Sequence, residues 1–213
     1  MSIGASLQGI FRRSIRSVNN KEKSASNNVV NVDCSSEQNQ IGLSERLMLQ
    51  YRDTASDQAL SSLFDLHSTK LYYFLMVMSD KQSAEDIAQR TWILVIEKRA
   101  SFTHANNFQA WLFTIGRRAL IDEFRRTSKV TYDSEAIDNT ATCDNSSQQR
   151  DYDEEDLGRL LCQLPYKQKE ALSLQLEGFS LMQISEICRV PKETVKTRLR
   201  YARDNLKSLV ERA

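Results

Sequence analysis

The side chains best suited to chemistry lie near the C-terminus, in Lys192-Glu-Thr-Val-Lys-Thr-Arg-Leu-Arg-Tyr-Ala-Arg203. Wound as a helix, this segment aligns Lys196, Arg200, Arg203 and Lys207 in one basic stripe, with Lys192 and Arg198 nearby. The apolar seam is Val195, Leu199, Ala202, Leu206 and Leu209. Cations so spaced bind phosphates; they do not break bonds. Lys192, Glu193, Thr194, Lys196 and Thr197, at the start of the helix, are placed to meet base edges in a major groove. Arg198, Arg200 and Arg203 suit phosphates, which fix register without reading sequence. The plainer alternative is a solvated basic face.

Other chemistries find no support. No Gly-rich phosphate loop and no nucleophile–base constellation is present. Cys34, Cys143, Cys162 and Cys188 are scattered, and His67 and His104 are the two histidines, so no clustered metal ligands are on offer. Cys162 and Cys188 read as small buried apolar residues, and the other two cysteines as incidental. No catalytic residue, metal, cofactor or small-molecule substrate is expected.

The basic helix needs a frame, and the C-terminal module 157–213 supplies one. Leu157, Leu160, Leu161 and Leu164 repeat at helical spacing. Pro165 opens a second helix, at a position where its missing N–H costs nothing, and Gly178 stops it. Ser180 caps a short helix carrying Ile184 and Ile187, and Pro191 opens the basic one. Two helices across a tight turn, the second basic on its outer face, make a helix-turn-helix.

The whole chain has 213 residues, 40% apolar and 27% charged, with only 6 Gly and 2 Pro. That balance predicts a globular, all-α fold. The formal net charge of +1 hides an asymmetry. Residues 127–156 carry 2 basic and 9 acidic side chains, a net −7, whereas residues 157–213 carry 11 and 6, a net +5. The acidic stretch, ending Asp151-Tyr-Asp-Glu-Glu-Asp156, cannot bury enough apolar surface to order itself and reads as a flexible linker between two small helical domains. Residues 1–43 read as a disordered tail with a weakly amphipathic start (Ile3, Leu7, Ile10, Phe11 and Ile15 among Arg12, Arg13 and Arg16). No membrane span and no signal peptide is evident, so a cytoplasmic location is expected.

Residues 44–126 form the other domain. Ala59, Leu60, Leu63, Phe64, Leu71, Phe74, Leu75 and Met78 recur at helical spacing. Ser83 is expected to cap a helix beginning Ala84-Glu85-Asp86, whose carboxylates favour the positive end of its dipole. A polar loop near residues 100–107 leads into Phe108-Gln-Ala-Trp-Leu-Phe-Thr-Ile-Gly-Arg-Arg-Ala-Leu-Ile-Asp-Glu-Phe-Arg-Arg126. Trp111 suits core packing, given Ile115 on its face, with base stacking as the alternative.

Ser180 to Arg203, above all Thr194-Val-Lys-Thr-Arg-Leu199 and Ala202-Arg203, resembles the region 4 helix-turn-helix of sigma factors, which LuxR-type regulators share in part. Ala84-Glu-Asp-Ile-Ala-Gln89, Phe108-x-x-Trp111-Leu112 and Asp122-x-x-Arg125-Arg126 resemble sigma region 2 in type, order and spacing, which LuxR-type regulators lack. The acidic linker standing in place of region 3 is similar to the extracytoplasmic-function (ECF) group.

The resemblance implies an alternative sigma factor that binds core RNA polymerase, through the β′ clamp helices and the β flap, and directs it to promoters. It implies that Glu85, Asp86, Gln89 and Arg90 dock on polymerase. His104, Asn106, Asn107 and Gln109 would hydrogen-bond an extruded −10 base, and Arg117, Arg118, Arg125 and Arg126 would meet phosphates. The region 4 residues above would read the −35 element. An anti-sigma factor is a further implied partner, one that can hold the protein at the inner membrane. One position departs: many members carry Asn where this chain has Arg118, and a guanidinium there suits guanine N7 and O6 or a phosphate. The rival functions are a stand-alone helix-turn-helix regulator of LuxR type and a protein-interaction adaptor.

Overall fold

A computed structural model describes residues 34–103, 107–127 and 160–211. Among them every regular element is helical: α1 Cys34–Thr54, α2 Asp57–Met78, α3 Lys81–Glu97, a 3-10 turn Arg99–Ser101, α4 Phe108–Thr127, α5 Tyr166–Leu176, α6 Leu181–Cys188 and α7 Lys192–Val210. The fold is all-α, as the scarcity of Gly and Pro predicts. Helix α1 begins ahead of residue 44. The acidic stretch and the first residues of the chain lie outside the described residues.

Two compact units emerge: residues up to Thr69 with Ile93–Gln109, and Lys70–Trp92 with the residues from Ala110 onward. The first unit is built on Met48, Tyr51, Leu60, Leu63, Phe64, Phe102 and Phe108, all buried. The buried imidazole of His67 pairs through Nε2 with the Ser44 hydroxyl at 2.7 Å and tilts against the Phe108 ring, centroids 5.1 Å apart. Arg52 reaches from α1 to donate to the Phe102 carbonyl at 3.0 Å. The carbonyl that ends the 3-10 turn is thereby held, where an orphaned buried acceptor would cost stability.

In the second unit Leu71, Phe74, Leu75, Met78, Ile87, Trp92, Leu112, Phe113 and Leu120 form the apolar interior. Gly116 lets α4 close on its neighbours: a Cβ there would lie 2.9 Å from Leu71 Cδ1 and 3.6 Å from Thr91 Cγ2. The cap of α3 differs from the expectation. Asp80, not Ser83, precedes the helix, and its carboxylate accepts from the Ser83 N–H at 2.9 Å and the Ser83 hydroxyl at 2.6 Å. Both residue types can cap, and the one placed a turn earlier satisfies the orphan N–H groups with a full charge at the positive end of the dipole. Partial burial raises the Asp80 carboxyl, but these hydrogen bonds prevail and hold it below its ordinary range.

The helix-turn-helix follows its local signals closely. Gly178 adopts φ +89°, its N–H bonds the Gln175 carbonyl at 3.1 Å, and the Phe179 N–H bonds that of Leu174 at 3.2 Å. This paired closure of a helix end needs the left-handed conformation that glycine adopts without penalty. Ser180 and Gln183 then cap α6 reciprocally, at 3.3 and 2.9 Å. Pro165 and Pro191 stand one place earlier than expected, as extended caps with ψ 143° and 147° rather than in the first turn. At either position no N–H is missed. Ile184, Ile187, Val195, Leu199 and Ala202 close the small core beneath the turn.

Candidate nucleic-acid interface

On α7, Lys192, Glu193, Lys196, Thr197, Arg200 and Arg203 are exposed, and Thr194 is half-buried. Val195, Leu199 and Ala202 on the opposite side are buried. This segregation presents the basic stripe outward as the 3.6-residue period requires. Lys196 and Glu193 form a surface pair at 2.8 Å, and the Thr197 hydroxyl donates to the Glu193 carbonyl at 3.0 Å. Arg203 donates to the Gln175 amide oxygen at 2.9 Å, and Arg200 lies 5.0 Å from the centroid of the Tyr201 ring. Exposed pairs of this kind are weak and yield readily to phosphate.

Helix α4 carries the second set. Its first turn is anchored by Glu45, whose Oε1 accepts from the Phe108 N–H at 2.9 Å. Asn107 and Gln109 flank that anchor, both half-buried, and Gln109 Nε2 is enclosed with no hydrogen-bond acceptor among the described residues. His104 and Asn106 lie outside the described residues. Phe108 is fully buried, whereas Trp111 is half-buried, so its ring is only in part a core residue. Arg118, Arg125 and Arg126 are exposed. Arg125 stands 3.9 Å from Asp122 and Arg126 2.7 Å from Glu123, both pairs along the helix surface.

Arg117 behaves differently. Its side chain is only 16% exposed and donates through Nε to Glu170 Oε1 at 2.7 Å, with Nη2 3.4 Å from Oε2. Burial alone would lower its pKa, but the Glu170 charge outweighs that and raises it. Glu170 is 1% exposed and has a second cation, Arg198 Nη1, at 3.9 Å from Oε2. Arg117 and Arg198, expected at different parts of the nucleic-acid surface, therefore share one buried carboxylate. Burial, with the nearby Glu170 charge, pushes the Tyr166 phenol and the Cys188 thiol well above their ordinary values. Cys188 is thus an inert core residue, as expected; Cys162 is only half-buried.

The third set lies on α3. Asp86 is exposed, while Glu85, Gln89 and Arg90 are half-buried. Arg90 donates to Glu123 Oε2 at 3.2 Å, so Glu123 links it to Arg126. Beyond them the helix exposes 49% of Ile93, an apolar side chain set among polar neighbours. The sequence hides Ile93 inside the run Trp92-Ile-Leu-Val-Ile96, where only the observed phase of the helix separates inside from outside. Glu170 is equally silent in the sequence, a glutamate in a polar first turn. Among the described residues no three His, Cys, Asp or Glu side chains gather as a metal site.

Comparison with known proteins gives two family matches, sigma-70 region 2 over residues 63–130 and sigma-70 region 4 over residues 154–206. The ECF RNA polymerase sigma factor SigL of Mycobacterium tuberculosis is 31% identical over 157 residues, 70% of this chain and 87% of SigL. EcfG, an ECF RNA polymerase sigma factor of Rhodopseudomonas palustris, is 26% identical over 159 residues, 74% of this chain and 86% of EcfG. Among solved structures, the sigma factor RpoE of Bartonella quintana, crystallised with the anti-sigma factor NepR, superposes with a TM-score of 0.57. Identity there is 29%, over 70% of this chain and 94% of the RpoE chain.

Proposed function

Because this chain belongs to the extracytoplasmic-function sigma factors of the sigma-70 family, we propose that it reads a promoter at two points while bound to core RNA polymerase. It is an alternative sigma factor, and it directs transcription initiation. The observation that carries the two-point reading is the pair of arginine-rich faces, one on α4 and one on α7, each backed by a buried apolar seam.

The working division is residues 44–126 as region 2, 127–156 as an acidic connector and 157–213 as region 4. In region 4, Lys192, Glu193, Thr194, Lys196 and Thr197 meet base edges of the −35 duplex, and Arg200 and Arg203 hold its backbone. In region 2, His104, Asn106, Asn107 and Gln109 surround an unstacked −10 base, and Arg118, Arg125 and Arg126 hold the displaced strand. The enclosed amide of Gln109 supports that role, since a buried donor with no partner among the described residues is costly until a base supplies an acceptor. Glu85, Asp86, Gln89 and Arg90 form the polymerase-docking face, with the exposed Ile93, beyond them on the same helix, as its apolar contact.

Binding energy alone opens the promoter, so the protein is a regulator without catalytic residues. Its partners are core RNA polymerase, promoter DNA and an anti-sigma factor such as the one bound to RpoE, and its site of action is the cytoplasm. Mobility shifts on promoter duplexes test the reading against a stand-alone regulator. The expected result is a shifted complex only with core polymerase present. Tight operator binding by the free protein, as a dimer, would overturn it.

A further inference from the structure

The two carboxylate oxygens of Glu123 are divided between two arginines with different destinations. Oε2 accepts from Arg90 Nη1 of α3 at 3.2 Å, and Oε1 accepts from Arg126 Nη2, one turn along α4, at 2.7 Å. Arg90 belongs to the polymerase-docking group and Arg126 to the group that holds the −10 strand. The neighbouring pair is of another kind: Asp122 and Arg125 stand 3.9 Å apart, 69% and 61% exposed, and both lie on α4. The Glu123 side chain is only 14% exposed, so solvent and salt screen it far less. Its two helices are closely fitted. At Gly116 of α4 an added Cβ would lie 3.6 Å from Cγ2 of Thr91, the residue after Arg90. A carboxylate beside a strand-holding arginine repels phosphate unless another cation neutralises it, and Arg90 is placed to do so.

We propose that Glu123 is a positioning residue that couples polymerase docking on α3 to −10 strand capture on α4. The inference rests on the sigma-factor reading above, which assigns Arg90 and Arg126 to those two surfaces. When a phosphate takes Arg126, Arg90 remains to neutralise Glu123, and the carboxylate fixes that guanidinium against α4. One N–H group of Arg90 is used in this bond, and the others are left for acceptors on polymerase. Docking in turn removes water from the Arg90–Glu123 pair, which strengthens it, and Arg126 is spared for phosphate. Each partner thereby favours the binding of the other, and by linkage the factor is the same in both directions. A half-buried pair supplies a modest factor, roughly 2- to 5-fold.

Fluorescence anisotropy of the labelled full-length protein gives its Kd for core RNA polymerase with and without a saturating single-stranded −10 oligonucleotide, taken from a promoter mapped by run-off transcription. The ratio of the two values is the coupling. Core polymerase contributes to that ratio by itself, so each variant is compared with the wild-type protein. Glu123→Gln, which keeps the size and removes the charge, is expected to lower the ratio roughly 2- to 5-fold, and Arg90→Gln to lower it equally. The double variant is expected to fall no further, because the two residues act as one unit. Asp122→Asn is expected to leave the ratio at its wild-type value. A purely structural role for Glu123 would weaken both affinities in proportion. An unchanged ratio in a Glu123→Gln protein that is folded by circular dichroism therefore overturns the proposal. A further fall in the double variant, or an equal fall with Asp122→Asn, overturns it too. Should Glu123→Gln unfold, Arg90→Gln measured against Asp122→Asn decides alone. Absence of core binding by the wild-type protein sinks instead the sigma-factor reading on which the coupling rests.

Discussion

The Phe108 N–H donates to Glu45 Oε1 at 2.9 Å, joining the first turn of α4 to a carboxylate 63 positions earlier in the chain. The bond does the work of a helix cap from outside the local sequence, because Asn107 precedes the helix and Glu45 supplies the charge. It also fixes where Asn107 and Gln109 stand. Replacing Glu45 by Ala is expected to lower stability by about 1 kcal/mol, the usual worth of a cap, and Glu45→Gln by less. Thermal unfolding of the two variants checks the order. Equal melting for all three proteins would show the bond to be idle.

Close packing at Gly116 gives a sharper stability prediction. A methyl group there would press on Leu71 Cδ1 at 2.9 Å, inside a fully packed interior. Gly116→Ala should therefore cost about 1–3 kcal/mol, the range for overpacking, despite the better helix propensity of alanine. Denaturant unfolding measures it, and a stabilised variant would contradict the packing described.

Glu177 makes stability depend on pH. Burial raises its carboxyl from 4.5 to about 7, against the opposing charge of Lys70. The folded state thus resists ionisation that the unfolded chain accepts. Its contribution to stability is complete below pH 4.5, declines as pH rises toward about 7, and is flat beyond. Across that window the wild-type protein should lose stability relative to Glu177→Gln. Urea midpoints for the two proteins between acid and neutral pH measure the difference; parallel curves would exclude it.

Phosphate and base contacts on α7 should separate by salt. Arg200→Ala is expected to weaken −35 binding similarly on all sequences and to reduce the salt slope by about 1. Lys196→Ala or Thr197→Ala should instead relax sequence preference, by about 1–3 kcal/mol at the base pair contacted. Holoenzyme binding to a panel of single-base −35 variants at several salt concentrations distinguishes them. A sequence-uniform effect from Thr197→Ala would move that residue to the phosphate group.

The helix-turn-helix was legible because its boundaries are written by residues with local jobs. Gly178 closes α5, Ser180 caps α6 and Pro191 precedes α7, and each acts within one turn of its place in the chain. The α3 cap stands a turn earlier than its sequence suggests, because Asp80 and Ser83 are both competent and the choice depends on whether Lys81 and Gln82 wind into the helix. Glu170 was illegible for another reason. Its partner Arg117 is 53 positions away, and no periodicity or motif links them. Ile93 is hidden in the sequence because an unbroken apolar run conceals the phase of its helix. Local chemistry reads from sequence; the meeting of distant charges does not.

Run-off transcription from genomic promoter fragments, with purified core RNA polymerase and this protein added or withheld, tests promoter-directed initiation most directly. Transcripts starting at defined sites only when the protein is present, and lost with Arg200 and Arg203 both changed to Glu, are the predicted result. Core polymerase that gains no start sites from the protein, or a doubly substituted protein that works as well as the native one, would contradict it.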